Sequence, residues 1–153
     1  RSVPRVESIT TIASGLAERT DPAALVVGPT GVGLGRHDTL YVADSGRNRI
    51  VAIPDASDRS SSAGAGRVVS TAGALTTPLG LAIAPGGDVL TVNAGDGNLV
   101  EITPAGTQAA VRALDTSGGP PPGAGALFGL AIAPHHAVYF VDDATNELDL
   151  LHR

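Results

Sequence analysis

The chain of 153 residues contains no cysteine, methionine, tryptophan or lysine, and its large aromatics are two phenylalanines and two tyrosines. Without cysteine there is no disulfide framework, no thiolate metal site and no cysteine nucleophile, which leaves the redox compartment open. Without bulky fillers a core has to be built from Val, Ile, Leu and Ala, and β-branched side chains suit sheets. All ten basic residues are arginine and face fifteen acidic ones, for a net charge of −5. No basic stripe gathers anywhere, which argues against nucleic acid and anionic membrane as partners. The lack of lysine and cysteine itself reads as the compositional habit of a GC-rich genome. No apolar run approaches the roughly 20 residues of a membrane span. The opening "RSVPRVESIT" has neither an initiator methionine nor the apolar segment of a signal peptide, so it reads as a mature or trimmed end, or as a piece of a longer chain.

What is present is a repeat. The hexapeptide GLAIAP occurs at Gly80–Pro85 and again at Gly129–Pro134, and a shift of 49 residues (129 − 80) aligns three segments that start at Pro29, Pro78 and Leu127. Self-similarity at this period marks a repeat architecture. Each unit alternates short apolar stretches with turns: Gly31, Gly80 and Gly129 open a first strand, then come TLYVA, VLTVN and VYFVD, then RIVAI, NLVEI and ELDLL. Gly and Asn in the intervening turns supply the positive φ that tight hairpins need. Fourth strands are expected at Arg67–Ala72 and Gln108–Leu114.

Four antiparallel strands every 40 to 50 residues make the blade of a β-propeller. The stretch GVGLGRHDTLYVADSGRNRIVAI resembles an NHL repeat, with its apolar first strand, Gly-rich turn, YVAD strand and Asn-x-Arg-Ile turn; the second and third units follow the same spacing with Asn93 and Glu147 departing from the pattern. The expected fold is therefore all-β, a half-propeller of three blades: residues 29–72, 78–115 and 127–152, the last lacking its fourth strand. Three blades cannot close a ring. A stray strand at residues 6–13 precedes the first unit as a fourth strand should, so a six-bladed ring would close either by pairing with a second copy or with a missing propeller half. An isolated half is expected to expose two sheet faces.

Loops joining second to third strands, and fourth to first, line the channel face of a propeller, where ligands bind. That face is expected to carry Asp44, Ser45, Arg47, Asn48, Asn93, Asp96, Asp142, Asp143, Thr145 and Asn146. Asp44, Asn93 and Asp142 are equivalent, and such oxygen ligands could hold Ca²⁺. Asp and Asn at strand ends also cap their own turns, and recurrence in every unit weights that role above ligand binding. The resemblance implies two enzymatic precedents. Six-bladed lactonases of the gluconolactonase and regucalcin type place metal ligands near the axis, several of them just before the glycine that opens an innermost strand. Thr30, Leu79 and Phe128 stand there and offer no carboxylate or amide. Propeller lyases give a histidine a functional role, but His37 and His135 fall in the turn on the opposite face, beside His136, and His152 is terminal. No catalytic residue is assigned. The Pro/Gly-rich stretch Gly118–Ala126 reads either as a lip over the channel or as a tolerated loop. The function expected is a ligand-binding or protein-interaction scaffold, acting on an unidentified small molecule or protein, with the lactonase or lyase class as the alternative. Similar propellers of soil bacteria imply a secreted or periplasmic location.

Overall fold

The computed structural model describes residues 7–22, 25–133 and 137–152. Thirteen strands run through them in chain order. A short hairpin comes first, β1 (Arg19–Asp21) with β2 (Leu25–Val27). Blade 1 follows as β3 (Pro29–Leu34), β4 (Leu40–Asp44), β5 (Arg49–Ile53) and β6 (Arg67–Thr71). Blade 2 comprises β7 (Pro78–Ile83), β8 (Val89–Asn93), β9 (Asn98–Ile102) and β10 (Gln108–Ala113). Blade 3 has only β11 (Leu127–Ile132), β12 (Val138–Asp142) and β13 (Glu147–Leu151). Each sheet is an antiparallel meander in sequence order, as the repeat predicts.

The turn between second and third strands shows why the repeat keeps its residue types. Asn48, Gly97 and Asn146 occupy equivalent positions and all lie at positive φ, 48°, 68° and 60°. Gly and Asn visit that region at the least cost.

The innermost strands β3, β7 and β11 stand side by side, and glycine allows it. A Cβ on Gly31 would overlap the carbonyl oxygen of Leu79, and one on Gly80 that of Phe128. In all three blades the register between first and second strands slips at the same place, between Pro29 and Val32, Pro78 and Leu81, and Leu127 and Leu130. Such bulges re-aim the side chains they carry.

Sheets pack face to face through alternating side chains. Tyr41, Ala43, Ile50 and Ala52 of blade 1 meet Leu81, Val89, Val100 and Ile102 of blade 2. Leu90, Val92 and Leu99 on the other face of blade 2 meet Leu127, Val138 and Phe140 of blade 3. Each fully buried aliphatic side chain here contributes about 1.5–3 kcal/mol of transfer free energy. Gln108 adds a polar tie between blades 1 and 2, donating to Ala72 O at 2.8 Å and accepting from Ala74 N at 2.8 Å.

Val6 lies outside the described residues, and residues 7–18 form no strand within the single chain. They lie instead along blade 1, where Ala63 N donates to Ile12 O and Ser14 N to Gly64 O, both at 2.9 Å. Ala13 and Leu16 pack over Val42, Val51 and Ile53. Of the two sheet faces expected to be bare, the one on blade 1 is thus partly covered, because an apolar face recruits the nearest apolar segment of its own chain.

Candidate functional site

The repeated bulge turns the residue before each opening glycine toward the concave side of the blade row. Thr30, Leu79 and Phe128 there line one cleft of about 780 Å³. Its floor is apolar: Leu81, Leu130 and Val27 join Leu79 and Phe128. Phe128 keeps 44% of its surface exposed, a large value for a phenylalanine. The polar groups of the lining are Thr30, Thr77, Arg19 and Asp143. The Thr30 hydroxyl donates to Leu79 O at 3.0 Å. Ser45, buried, in turn donates to Pro78 O. Two neighbouring hydroxyls, each donating to a carbonyl, thus tie blade 1 to the first strand of blade 2 at the edge of the cleft.

The second-to-third and fourth-to-first loops contribute mostly small residues to this cleft. Ala94 and Asp143 come from second-to-third connections, Thr77 and Gly125 from fourth-to-first connections. Gly125 belongs to the Pro/Gly-rich stretch, which is folded into tight turns: Gly123 N donates to Ser117 O at 2.7 Å, and Gly125 N to Ala94 O at 2.7 Å. That stretch forms part of the cleft wall.

Of the ten residues expected on the channel face, Asp143 lines this cleft, while its backbone N–H donates to Ala126 O at 2.7 Å. The others serve turns and neighbouring backbone. Asp44 is fully buried and pairs with Arg49 at 2.6 Å across the β4–β5 hairpin, where the two are register partners. Asn93, also fully buried, donates to Ala74 O at 2.7 Å and to Asp96 Oδ1 at 3.0 Å, and Asp96 also accepts from Asn98 N. Asn48 accepts from Thr77 N at 2.7 Å. Arg47 reaches Gly15 O at 3.5 Å. Asn146 is exposed at its left-handed turn position. Asp142 accepts from the backbone N–H groups of Ala144 and Thr145.

Asp44, Asn93 and Asp142 therefore do not fit a shared Ca²⁺. Each is folded into the turn of its own blade, and among the described residues no three carboxylates or imidazoles converge. His37 stands exposed in the β3–β4 turn at φ 53°, His152 is exposed near the end, and His135 and His136 lie outside the described residues.

Asp142 lines a second cleft of about 570 Å³ together with Asp115. Both are nearly buried, at 5% and 6% exposure. Burial pushes the Asp142 carboxyl above the usual carboxylate range, and the hydrogen bond and charge of Asp115 add to that against the lowering pull of the Thr145 and Ala144 N–H groups. Asp115 is held below the usual range by the backbone and hydroxyl of Ser117. Two carboxyls thus face one cleft between blades 2 and 3 with their affinities for a proton moved in opposite directions.

Sequence reasoning missed Arg19 and Val27, because the β1–β2 hairpin has no counterpart in the repeat. The available signal was the LVV stretch at Leu25–Val27 just before the first unit.

No protein-family model matches the sequence, and a search of curated proteins finds no match. Solved structures do match. A catalytically inactive virginiamycin B lyase from Staphylococcus aureus with quinupristin superposes with a TM-score of 0.59 at 16% identity, over 81% of this chain and 38% of that one. A streptogramin B lyase gives 0.57 at 14% identity, over 81% and 40%. A gluconolactonase from Xanthomonas campestris gives 0.50 at 18% identity, over 76% and 35%. The chain is similar to these β-propellers in fold and spans less than half the length of each.

Proposed function

We propose that this chain is a half-propeller of the NHL type that binds a small, largely apolar ligand in the cleft between its innermost strands. The observation that carries the reading is the placement of Leu79 and Phe128 on the axial side of the blades, with Leu81, Leu130 and Val27 completing an apolar floor. Concave, mainly apolar pockets with a few polar groups are the usual form of small-molecule sites. Arg19, Thr30, Thr77 and Asp143 are the groups that would orient such a ligand. Titration with the fluorescent apolar anion 1-anilinonaphthalene-8-sulfonate tests it. Saturable single-site binding is expected, weakened about tenfold or more by Leu79→Asp. Binding unaffected by Leu79→Asp but abolished by Leu148→Asp, on the outer face of blade 3, would overturn the reading.

A second reading, a propeller enzyme of the lyase or lactonase type with the same cleft as its substrate site, is supported by the fold it shares with virginiamycin B lyase and gluconolactonase. Ring opening of a cyclic ester by the purified chain, lost in Phe128→Ala, would favour that reading over binding alone.

A further inference from the structure

Blades 1 and 2 each turn one sheet face toward the next blade, and the residues involved recur at the repeat spacing. Tyr41, Ala43 and Ile50 face blade 2. Forty-nine residues on, Leu90, Val92 and Leu99 face blade 3. One more step gives Tyr139, Val141 and Leu148, which face no blade and are 41%, 39% and 71% exposed. The receiving side of the same interface is Leu81, Val89, Val100 and Ile102 on blade 2. One step back, blade 1 carries Val32, Leu40, Val51 and Ile53, all apolar. The first and last blades thus hold the two complementary halves of an interface that the chain already forms twice.

The glycines repeat this at the level of backbone. Gly31 and Gly80 each lie under the carbonyl of the following inner strand, from Leu79 and Phe128. Gly129 is their equivalent, yet a Cβ there would meet only Val141 of its own blade, at 3.0 Å. Within this chain, among the described residues, no strand stands over it.

We propose that blade 3 docks onto blade 1 of a second copy of this chain, head to tail and twice over, closing a two-fold, six-bladed ring in which the carbonyl of Thr30 in one copy sits against Gly129 of the other. A second copy is the occupant because blade 1 carries the complementary face in the register that the two internal interfaces use. Closed two-fold assemblies of this kind leave no unpaired interface. The proposal goes beyond ligand binding and does not rest on it.

The receiving face of blade 1 is partly occupied in the single chain. Ala13 and Leu16 lie over Val42, Val51 and Ile53, while Val32 and Leu34 remain 56% and 57% exposed. Besides that apolar contact the segment is held by the bonds of Ile12 and Ser14 to the 62–64 loop. Docking requires residues 7–18 to leave that face. Once released, residues 7–13 can add beside β13, the edge strand of the three-stranded blade 3. The same segment is a cap in the monomer and a fourth strand in the ring.

Light scattering after size exclusion and sedimentation over a concentration series test this on four chains: wild type, Leu148→Asp, Gly129→Ala and Leu16→Asp. A species of twice the 15.2 kDa chain mass is expected. Leu148→Asp and Gly129→Ala should each raise its dissociation constant about tenfold or more, with circular dichroism of the dilute monomer unchanged. Leu16→Asp, which loosens the cap, should lower the dissociation constant, and a dimer seen only in this variant supports the capped form of the proposal. A monomer in both wild type and Leu16→Asp at the highest soluble concentration overturns it. So does an assembly larger than a dimer, or a dimer indifferent to Leu148→Asp and Gly129→Ala.

Discussion

Replacing Gly80 by alanine puts one methyl group where the structure brings two inner strands together. Its Cβ would overlap the Phe128 carbonyl oxygen and stand 2.9 Å from Val92 Cγ2 and 3.1 Å from Leu130 Cβ. The carbonyl belongs to a strand fixed on its other side by the β11–β12 ladder, so relief needs a movement on the order of 1 Å of the whole strand rather than a side-chain rotation. Overpacking of this kind costs about 1–3 kcal/mol, and a backbone obstacle places it at the upper end. Alanine regains roughly 0.5–1 kcal/mol that glycine forfeits in a strand. The net loss is about 2 kcal/mol, or roughly 4–8 °C in melting temperature at this chain length. Gly129→Ala is the internal control. Its Cβ meets only Val141 Cγ2 at 3.0 Å, the end of a side chain, so the strand gain and the tight contact nearly cancel and the dilute monomer should shift by less than about 0.5 kcal/mol. Thermal and urea unfolding of both variants in dilute solution, followed by circular dichroism, measures the difference. If the two variants unfold together, or Gly80→Ala is stabilised, close strand approach is not what the repeated glycines provide.

Asp44→Ala should destabilise by about 3 kcal/mol, because it strands the largely buried Arg49 guanidinium without its partner; urea midpoints would show it, and a loss below about 1 kcal/mol would mean the pair is solvated. The raised Asp142 carboxyl gives a signed pH dependence. A carboxyl whose folded pKa lies above its unfolded value contributes stability that is whole below the unfolded value and lost as pH rises through the folded one, so unfolding midpoints should fall with rising pH above the ordinary aspartate range. The lowered Asp115 acts oppositely, losing its contribution as pH falls below that range. Asp142→Asn, which installs the amide that Asn93 already provides at the equivalent position, should abolish the fall at higher pH; an unchanged pH profile would contradict a raised Asp142 carboxyl.

Much of this architecture was legible because it is local and periodic. Short apolar stretches between turns marked the strands, the 49-residue step marked the blades, and the Gly or Asn needed at positive φ marked each hairpin at Asn48, Gly97 and Asn146. The resemblance to propeller lactonases is what drew attention to Thr30, Leu79 and Phe128, the residues before each opening glycine. The polar candidates were expected on the channel face, yet the sequence does not distinguish a carboxylate that points into a cleft from one that turns back on its own hairpin. Asp142 and Asp143 are adjacent, and alternation along the chain sends one toward Asp115 and the other to the cleft lining.

The sequence by itself determined the strands, their order and their grouping into blades, since hydrogen-bonded meanders and turn conformations depend on neighbours within a few residues. Only the tertiary structure decided that the β1–β2 hairpin supplies Arg19 and Val27 to the cleft, that Asp115 meets Asp142, and that residues 7–18 lie over blade 1. Those outcomes depend on which surfaces remain to be buried once the blades are stacked. Burial is non-directional and carries no period.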